Sequence, residues 1–129
     1  MSYTAKQIGD LGEGHAVHYL RLRGYTVKER NWRAGKYEID IIAATLFDIA
    51  FVEVKTRCYT KDEIALLPPP GIAVDAEKQR FTRSAALSYL RKHPTKKQPR
   101  MDVIEVWLIE QPNGKKPKLY KINHMRAAY

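Results

Sequence analysis

Two neighbouring segments, residues 37–43 and 50–57, constrain the fold most, because both are apolar with charges at alternate positions. The charged residues are Glu38, Asp40, Glu53, Lys55 and Arg57. Alternate side chains of a strand share one face, so this spacing predicts two strands, each with its charges on one side. We expect an antiparallel hairpin with Ala43 opposite Ala50. The charged pairs that this register would bring together are Asp40–Glu53 and Glu38–Lys55.

The facing carboxylates point to a cation. Two acids opposite each other repel, and burying them adds to the cost. Mg²⁺ relieves such repulsion, since it binds through one or two carboxylates together with waters and substrate phosphates. Lys55 would place an ammonium on the same face as Glu53, where it could orient a water or stabilise charge on a phosphate. The pattern therefore predicts a phosphodiester-cleaving site, and ordinary cross-strand ion pairs of Glu38 or Asp40 with Lys55 remain the alternative.

The same residues carry a resemblance. Glu38-Ile-Asp40 followed by Phe51-Val-Glu53-Val-Lys55-Thr-Arg57 is similar to the signature of the restriction-endonuclease-like, PD-(D/E)XK nuclease fold. More narrowly, the chain resembles the YraN-like family of small bacterial proteins, relatives of the archaeal Holliday junction resolvases. Further matching segments are Gly12-Glu13, Gly24-Tyr25, Arg30-Asn31, Arg33, Lys78, Tyr89-Leu90 and Arg100-Met-Asp102-Val-Ile104. Tyr37 departs from the family, which usually has glycine there, and the segment 58–74 is longer and richer in proline.

This resemblance implies an α/β protein of the restriction-endonuclease-like α/β/α type with a central mixed sheet. It also implies an endonuclease that depends on Mg²⁺ (or Mn²⁺), acts on DNA including branched or junction DNA, and forms a homodimer. The implied site residues are Asp40 and Glu53 with the backbone carbonyl of Val54 as metal ligands, Lys55 to position the attacking water, and Glu13 and Glu38 as auxiliary acids. Glu13 could equally be a solvated helix residue or part of an ion pair. A non-catalytic nucleic-acid-binding module or a protein-interaction scaffold with this fold remains the rival.

Composition favours an anionic partner. The 129 residues carry 23 Lys and Arg against 14 Asp and Glu, a net charge of +9, which suits nucleic acid first and an anionic membrane surface second. The candidates for phosphate contact are Arg30, Arg33, Arg57 and Lys78. The length predicts one domain over residues 1–129. With no apolar run near the roughly 20 residues that span a bilayer, no signal region, and Cys58 as the one cysteine, we expect a cytoplasmic protein without membrane contact.

Periodicity and punctuation predict the element order αβββαββ. The first helix should cover residues 4–23, with Thr4 as N-cap and Gly24 as the stop. A strand at 25–30 should follow, then a basic turn at 31–35 with Trp32 against the core, and then the two charged strands. After a loop at 58–74 we expect a helix at 75–92 capped by Asp75. Strands at 101–109 and 119–122 and a frayed tail at 124–129 should complete the order. The loop contains Pro68-Pro69-Pro70-Gly71 and is either a flap over the site or a disordered surface loop.

Overall fold

The computed structural model describes residues 3–67, 69 and 74–129, and it shows two helices and five strands in the predicted order αβββαββ. The bounds are α1 Ala5–Leu22, β1 Thr26–Ala34, β2 Tyr37–Ala44, β3 Asp48–Tyr59, α2 Ala76–Lys92, β4 Gln98–Ile109 and β5 Lys118–Met125, with a short 3₁₀ helix at Ile64–Leu66. Within these residues no helix combines the length and the apolar character needed to cross a membrane. Most of the proline run lies outside the described residues, so the two interpretations of that loop stay predictions.

The strands form one mixed sheet in the order β1-β2-β3-β4-β5. β3 and β4 are parallel, with α2 as the crossover between them, and the other three pairs are antiparallel. Each face of the sheet is covered by one helix. The α1-side core contains Ala16, Val17, Leu20, Ile41, Val52, Ile104 and Val106, and the α2-side core contains Ile39, Ile42, Phe51, Ala85 and Tyr89. The predicted layered α/β architecture is therefore confirmed.

Local signals in the sequence fix both helices. Thr4 and Gln7 form a capping box at the start of α1, and Gly24 follows its end with a φ of +87°, a conformation that favours glycine. The Asp75 side chain accepts a hydrogen bond from the Lys78 amide at the start of α2. Gly12 has a separate role, because a side chain there would collide with Thr56 of β3. Glycine thus lets α1 approach β3 closely.

The predicted turn at 31–35 is wrong in extent, because β1 continues through Ala34 and turns at Gly35. Asn31 adopts a left-handed conformation with a φ of 51°, which absorbs an irregularity without ending the strand. Trp32 lies opposite Ile39 and packs edge-on against Tyr89 at 5.3 Å, so its predicted core role is confirmed. β3 extends beyond both of its predicted ends and β4 begins before its predicted start, because their parallel pairing continues over twelve residue pairs, whereas β4 ends at Ile109 as predicted.

The predicted frayed tail is also wrong. Its first residue, His124, belongs to β5, has a side chain that is 4% exposed, and contacts Asp102 through Nε2 at 2.7 Å. The amide of Ala127 donates to the same carboxylate at 3.0 Å, and the amide of Ala128 donates to the Met101 carbonyl at 2.8 Å. Hydrogen bonds to the buried Asp102 and to the Met101 backbone therefore order this segment, although its own sequence predicts no regular structure.

Asp102 is the centre of this network and has no exposed surface. The Arg100 guanidinium donates to both of its oxygens at 2.8 Å and also contacts Asp48 and the Tyr25 hydroxyl. Burial alone would raise the pKa of Asp102, but hydrogen bonds from His124 and Arg100 outweigh it and lower the pKa to about 2. Arg100, with a side chain that is 14% exposed, is thus an internal cation of the fold.

We expect Asp102→Ala to lower the free energy of unfolding by about 3 to 5 kcal/mol, since it breaks a buried ion pair, leaves Arg100 with Asp48 alone and removes the acceptor of His124 and of the Ala127 amide. Urea denaturation at neutral pH measures this. Asp10→Ala is the control, because Asp10 pairs with Lys6 on the exposed surface of α1 and should matter by less than about 1 kcal/mol. Equal losses in the two variants would contradict a structural role for the buried acid.

Candidate acidic site

The β2–β3 hairpin opens at its acidic residues. The predicted register with Ala43 opposite Ala50 is confirmed, but the ladder ends at the pair Ile41–Val52. The predicted backbone pairs Asp40–Glu53 and Glu38–Lys55 therefore do not form. Beyond the last pair, the Val54 amide donates to the Asp40 Oδ2 atom at 2.8 Å, so a side chain takes the place of the ladder.

β2 rotates about its axis at this point. Ile39 packs in the α2-side core and Ile41 in the α1-side core, although residues two apart in a regular strand share a face. On β1, the left-handed Asn31 falls between the residues paired with Ile39 and Ile41. Asp40 lies between the two isoleucines, and its hydrogen bond to Val54 shows that its carboxylate is directed into the gap between β2 and β3.

Two cavities meet at this gap. On the α1 side an open cleft of about 530 Å³ is lined by Asp10, Glu13, Asn31, Glu38, Asp40 and Val54. On the α2 side a narrow cavity of about 10 Å³, room for about one water molecule, is lined by Glu38, Asp40, Glu53, Lys78, Thr82 and Tyr129. The structure thus brings the predicted acids together at one place, with Glu13 on one side, Glu53 on the other, and Asp40 in the wall of both cavities.

Asp40 differs from the other acids of the site, Glu13, Glu38 and Glu53, because no described cation pairs with it. Burial raises the pKa of its carboxyl to about 6, and the neighbouring carboxylates of Glu53, Glu13 and Glu38 contribute in the same direction. The hydrogen bond from Val54 opposes this rise without cancelling it. Among the described residues, no Lys, Arg or His forms an ion pair with Asp40.

Glu13 is held in place by β1. Its side chain is buried, and its Oε1 atom accepts hydrogen bonds from Arg30 Nε at 3.1 Å and Asn31 Nδ2 at 3.0 Å. The close approach that Gly12 permits brings this part of α1 to the sheet. The ion pair that the sequence left open as an alternative therefore exists, and the auxiliary role of Glu13 stays a prediction.

The two carboxylate oxygens of Glu53 differ in their partners among the described residues. Lys78 Nζ lies 3.3 Å and Lys55 Nζ 3.6 Å from its Oε1 atom. Its Oε2 atom is buried and has no hydrogen-bond partner among the described residues. A buried carboxylate oxygen without a partner is costly, so this atom favours a ligand in the neighbouring space.

Each of the four predicted phosphate-contacting cations is paired with an acid, and three of these acids, Glu13, Glu38 and Glu53, line the two cavities. The pairs are Arg30–Glu13, Arg33–Glu38, Arg57–Glu105 and Lys78–Glu53. Their side chains are 47 to 69% exposed, so their other hydrogen-bond donors face solvent. Thr82 and Tyr129, which line the narrow cavity, and Glu105, which pairs with Arg57, were not predicted from the sequence, because only the tertiary fold brings them to these positions. The sequence also indicated no role for Asn31 at the site.

The donor set suits a small oxygen-preferring cation held by few protein ligands. No group of three or more His, Cys, Asp or Glu side chains in the described part of the chain is close enough to hold a metal alone. Mg²⁺ does not require such a cage, since it keeps most of its waters and binds through one or two carboxylates. Asp40, Glu53 with its unpartnered oxygen, and the Val54 carbonyl fit that requirement, and the metal remains a prediction.

We expect Asp40→Asn to be more stable than the wild type at pH 7.5 by about 2 to 3 kcal/mol. The pKa of Asp40 is raised to about 6, so the ionised side chain lowers the free energy of unfolding. This loss of stability is absent below about pH 4 and grows as the pH rises to 6. Asparagine keeps an acceptor for Val54 and carries no charge. Denaturation at pH 4 and pH 7.5 should show a gain only at the higher pH, and Asp62→Asn in an exposed turn should show none. A gain that is equal at both pH values would contradict the raised pKa.

Comparison with known proteins agrees with the resemblance predicted from the sequence. A model described as "Uncharacterised protein family UPF0102" matches residues 12–106. A UPF0102 protein of Alkaliphilus oremlandii is 42% identical over 127 residues, covering 96% of this chain and 98% of the relative. A second, from Bacteroides thetaiotaomicron, is 37% identical over 123 residues, covering 95% of this chain and 92% of the relative. The family match and these near-full-length identities show that the chain belongs to the UPF0102 family.

Proposed function

We propose that this protein is a metal-dependent endonuclease that hydrolyses phosphodiester bonds in DNA, branched or junction DNA included. One observation supports this most directly. At the opening of the β2–β3 ladder, Asp40 has no ion-pair partner among the described residues, and Glu53 lines the same cavity with a buried oxygen that accepts no hydrogen bond from them. A carboxyl group with a raised pKa at a cavity, such as that of Asp40, is typical of functional sites.

Asp40, Glu53 and the Val54 carbonyl would hold Mg²⁺ or Mn²⁺. When bound, the cation would supply Lewis-acid chemistry that polarises the phosphate and activates a water. The residues themselves provide the geometry: the Val54 amide fixes the Asp40 carboxylate at 2.8 Å, and β3 carries Glu53, Val54 and Lys55 in succession. The ligands would therefore come from two strands that are joined by a short hairpin and braced by both helices.

Lys55 would orient the attacking water. Its ammonium lies 3.6 Å from Glu53 Oε1, and its side chain is 38% exposed, so it bridges the acidic group and solvent. Lys78 approaches the same oxygen from α2 at 3.3 Å. Two ammonium groups that share one carboxylate oxygen can turn toward a phosphate at little cost, which suits stabilisation of charge in the transition state.

Arg30, Arg33 and Arg57 would contact the backbone phosphates of DNA around the site. Each has an exposed portion, and the net charge of +9 would draw a polyanion to the surface. A homodimer belongs to this proposal through the resemblance to junction resolvases, which make paired cuts. Analytical ultracentrifugation with and without a four-way junction tests that part.

A non-catalytic nucleic-acid-binding module is the second candidate, and the ion pairs favour it. Glu13 already pairs with Arg30, and Glu53 already contacts Lys55 and Lys78. Acids neutralised by protein cations need no metal. Both candidates predict binding that weakens with salt, so cleavage separates them.

We expect wild-type protein to cut DNA with Mg²⁺ or Mn²⁺ and not with chelator. Asp40→Asn and Lys55→Ala should lose about 10²-fold or more in rate, because each removes a group at the reacting phosphate, while DNA affinity stays within about threefold. Cleavage of linear duplex, single-stranded and four-way-junction DNA, and of RNA, measures this, with Asp62→Asn as the matched control.

If the wild type cuts none of these substrates with either metal, the binding module replaces the nuclease. If Asp40→Asn cuts as fast as the wild type, the proposed ligand set is wrong even though an activity exists.

DNA affinity should fall linearly on a logarithmic plot against salt concentration, because each neutralised phosphate releases counterions. Arg33→Ala should reduce the slope by about one unit, since Arg33 is 69% exposed beside the acidic site. Lys61→Ala removes the same charge from an exposed turn after β3 and should leave the slope unchanged. Fluorescence anisotropy at several salt concentrations measures both slopes, and equal slopes for the two variants would place Arg33 outside the interface.

A further inference from the structure

Residues 126–129, which we call the strap, cross the α2 side of the acidic site. Two backbone amides fix its middle. The Ala127 amide donates to the Asp102 carboxylate at 3.0 Å, and the Ala128 amide donates to the Met101 carbonyl at 2.8 Å. The Tyr129 hydroxyl then lies 2.5 Å from the Thr82 hydroxyl on α2. The strap therefore joins the end of β5 to the helix that carries Lys78.

Tyr129 forms part of the wall of the narrow cavity that contains Asp40 and Glu53. The Arg83 guanidinium lies 5.4 Å from the centre of its ring. Burial raises the pKa of the Tyr129 phenol, and the charge of Glu53 contributes in the same direction. The match to the family model ends at residue 106, so this wall comes from a part of the chain beyond that match.

The size of the cavity sets a limit on what can reach Glu53 from this side. Its volume of about 10 Å³ holds about one water molecule, whereas a phosphodiester group has four oxygens around phosphorus and needs several times that space. Thr82 is 6% exposed and Glu53 8% exposed beside the Tyr129 ring. With the strap in place, water can enter the α2 side and a phosphodiester cannot.

Among the described residues, the polar contacts of the Tyr129 side chain are two, and each is modest. One hydroxyl–hydroxyl hydrogen bond and one cation–π contact connect it to α2, and neither is part of a strand ladder. Segments with few buried contacts open locally far more often than the whole domain unfolds. Release of these two contacts would free the ring while the amide of Ala127 stays on Asp102.

We propose that Tyr129 is a gate residue of the acidic site. Its ring moves away from Thr82 and thereby admits a phosphodiester group to Glu53. The substrate class rests on the proposed nuclease function, but the gate does not depend on catalysis and can be tested without DNA or metal.

The test is carbodiimide labelling of carboxylates, followed by mass spectrometry of wild type, Tyr129→Phe and Tyr129→Ala. The phenylalanine variant keeps the ring and loses the bond to Thr82, so Glu53 should react about fivefold faster, the factor given by one ordinary hydrogen bond. In Tyr129→Ala the increase should reach about tenfold or more, since the cation–π contact is lost as well. Glu13 and Glu105 are buried reference carboxylates and should keep their wild-type rates. Tyr120→Phe and Tyr120→Ala, at an exposed tyrosine of β5, should leave Glu53 unchanged.

Two results would overturn the gate. Wild-type labelling of Glu53 in Tyr129→Phe would make the ring a fixed wall, and equal acceleration of Glu13, Glu53 and Glu105 would mean a general loss of stability. The cleavage assay separates this proposal from the nuclease. Faster labelling of Glu53 without cleavage by any variant would keep the gate and reject the enzyme, and cleavage by the wild type without a change in labelling would do the reverse.

Discussion

The hydrogen bond from the Val54 amide to Asp40 determines the geometry of the acidic site. Where this bond forms, the β2–β3 ladder has already ended and β2 has rotated, so a carboxylate occupies the space of a strand pair. A hydrogen bond of this kind fixes the side chain without neutralising it. The site therefore has a rigid acid at its centre, and the cations around it are paired with other acids.

Two aspartates in this fold show how the environment separates structural from functional acids. Asp102 has no exposed surface and has partners on every side, and its pKa is lowered to about 2. Asp40 is partly buried with one amide donor and three acidic neighbours, and its pKa is raised to about 6. Burial disfavours the charge of both residues, and the partners decide the direction of the shift. The first arrangement stabilises the fold, and the second leaves an acid that gains from an external cation.

The sequence predicts the features that depend on local pattern. The alternation of charges gave the register of the hairpin, and Thr4, Gly24 and Asp75 marked the helix ends. The acids of the site could be named because a short hairpin brings residues 40 and 53 close in any register that matches the apolar pattern. Charge alone did not reveal which acids would be paired, since each ion pair depends on the approach of a helix or a second strand.

The failures in prediction have a common physical origin. The left-handed Asn31 extended β1 past the expected turn, and backbone contacts to Asp102 and Met101 ordered a tail of unremarkable composition. Tyr37, where the family usually has glycine, stacks on Phe81 of α2 at 4.8 Å, a partner that lies 44 positions away in the sequence. Such contacts involve single residues and distant partners, and no periodic pattern encodes them.

The attachment of Ala127 to Asp102 also defines a lever. Tyr129 lies two residues beyond that fixed point, and each residue extends the backbone by at most about 3.6 Å. A displaced Tyr129 could thus travel only about 7 Å at its Cα atom, with the length of its own ring added. A larger displacement would disturb the charge network around Asp102. The carboxylate that fixes the strap therefore also limits how far Tyr129 can move over the acidic site.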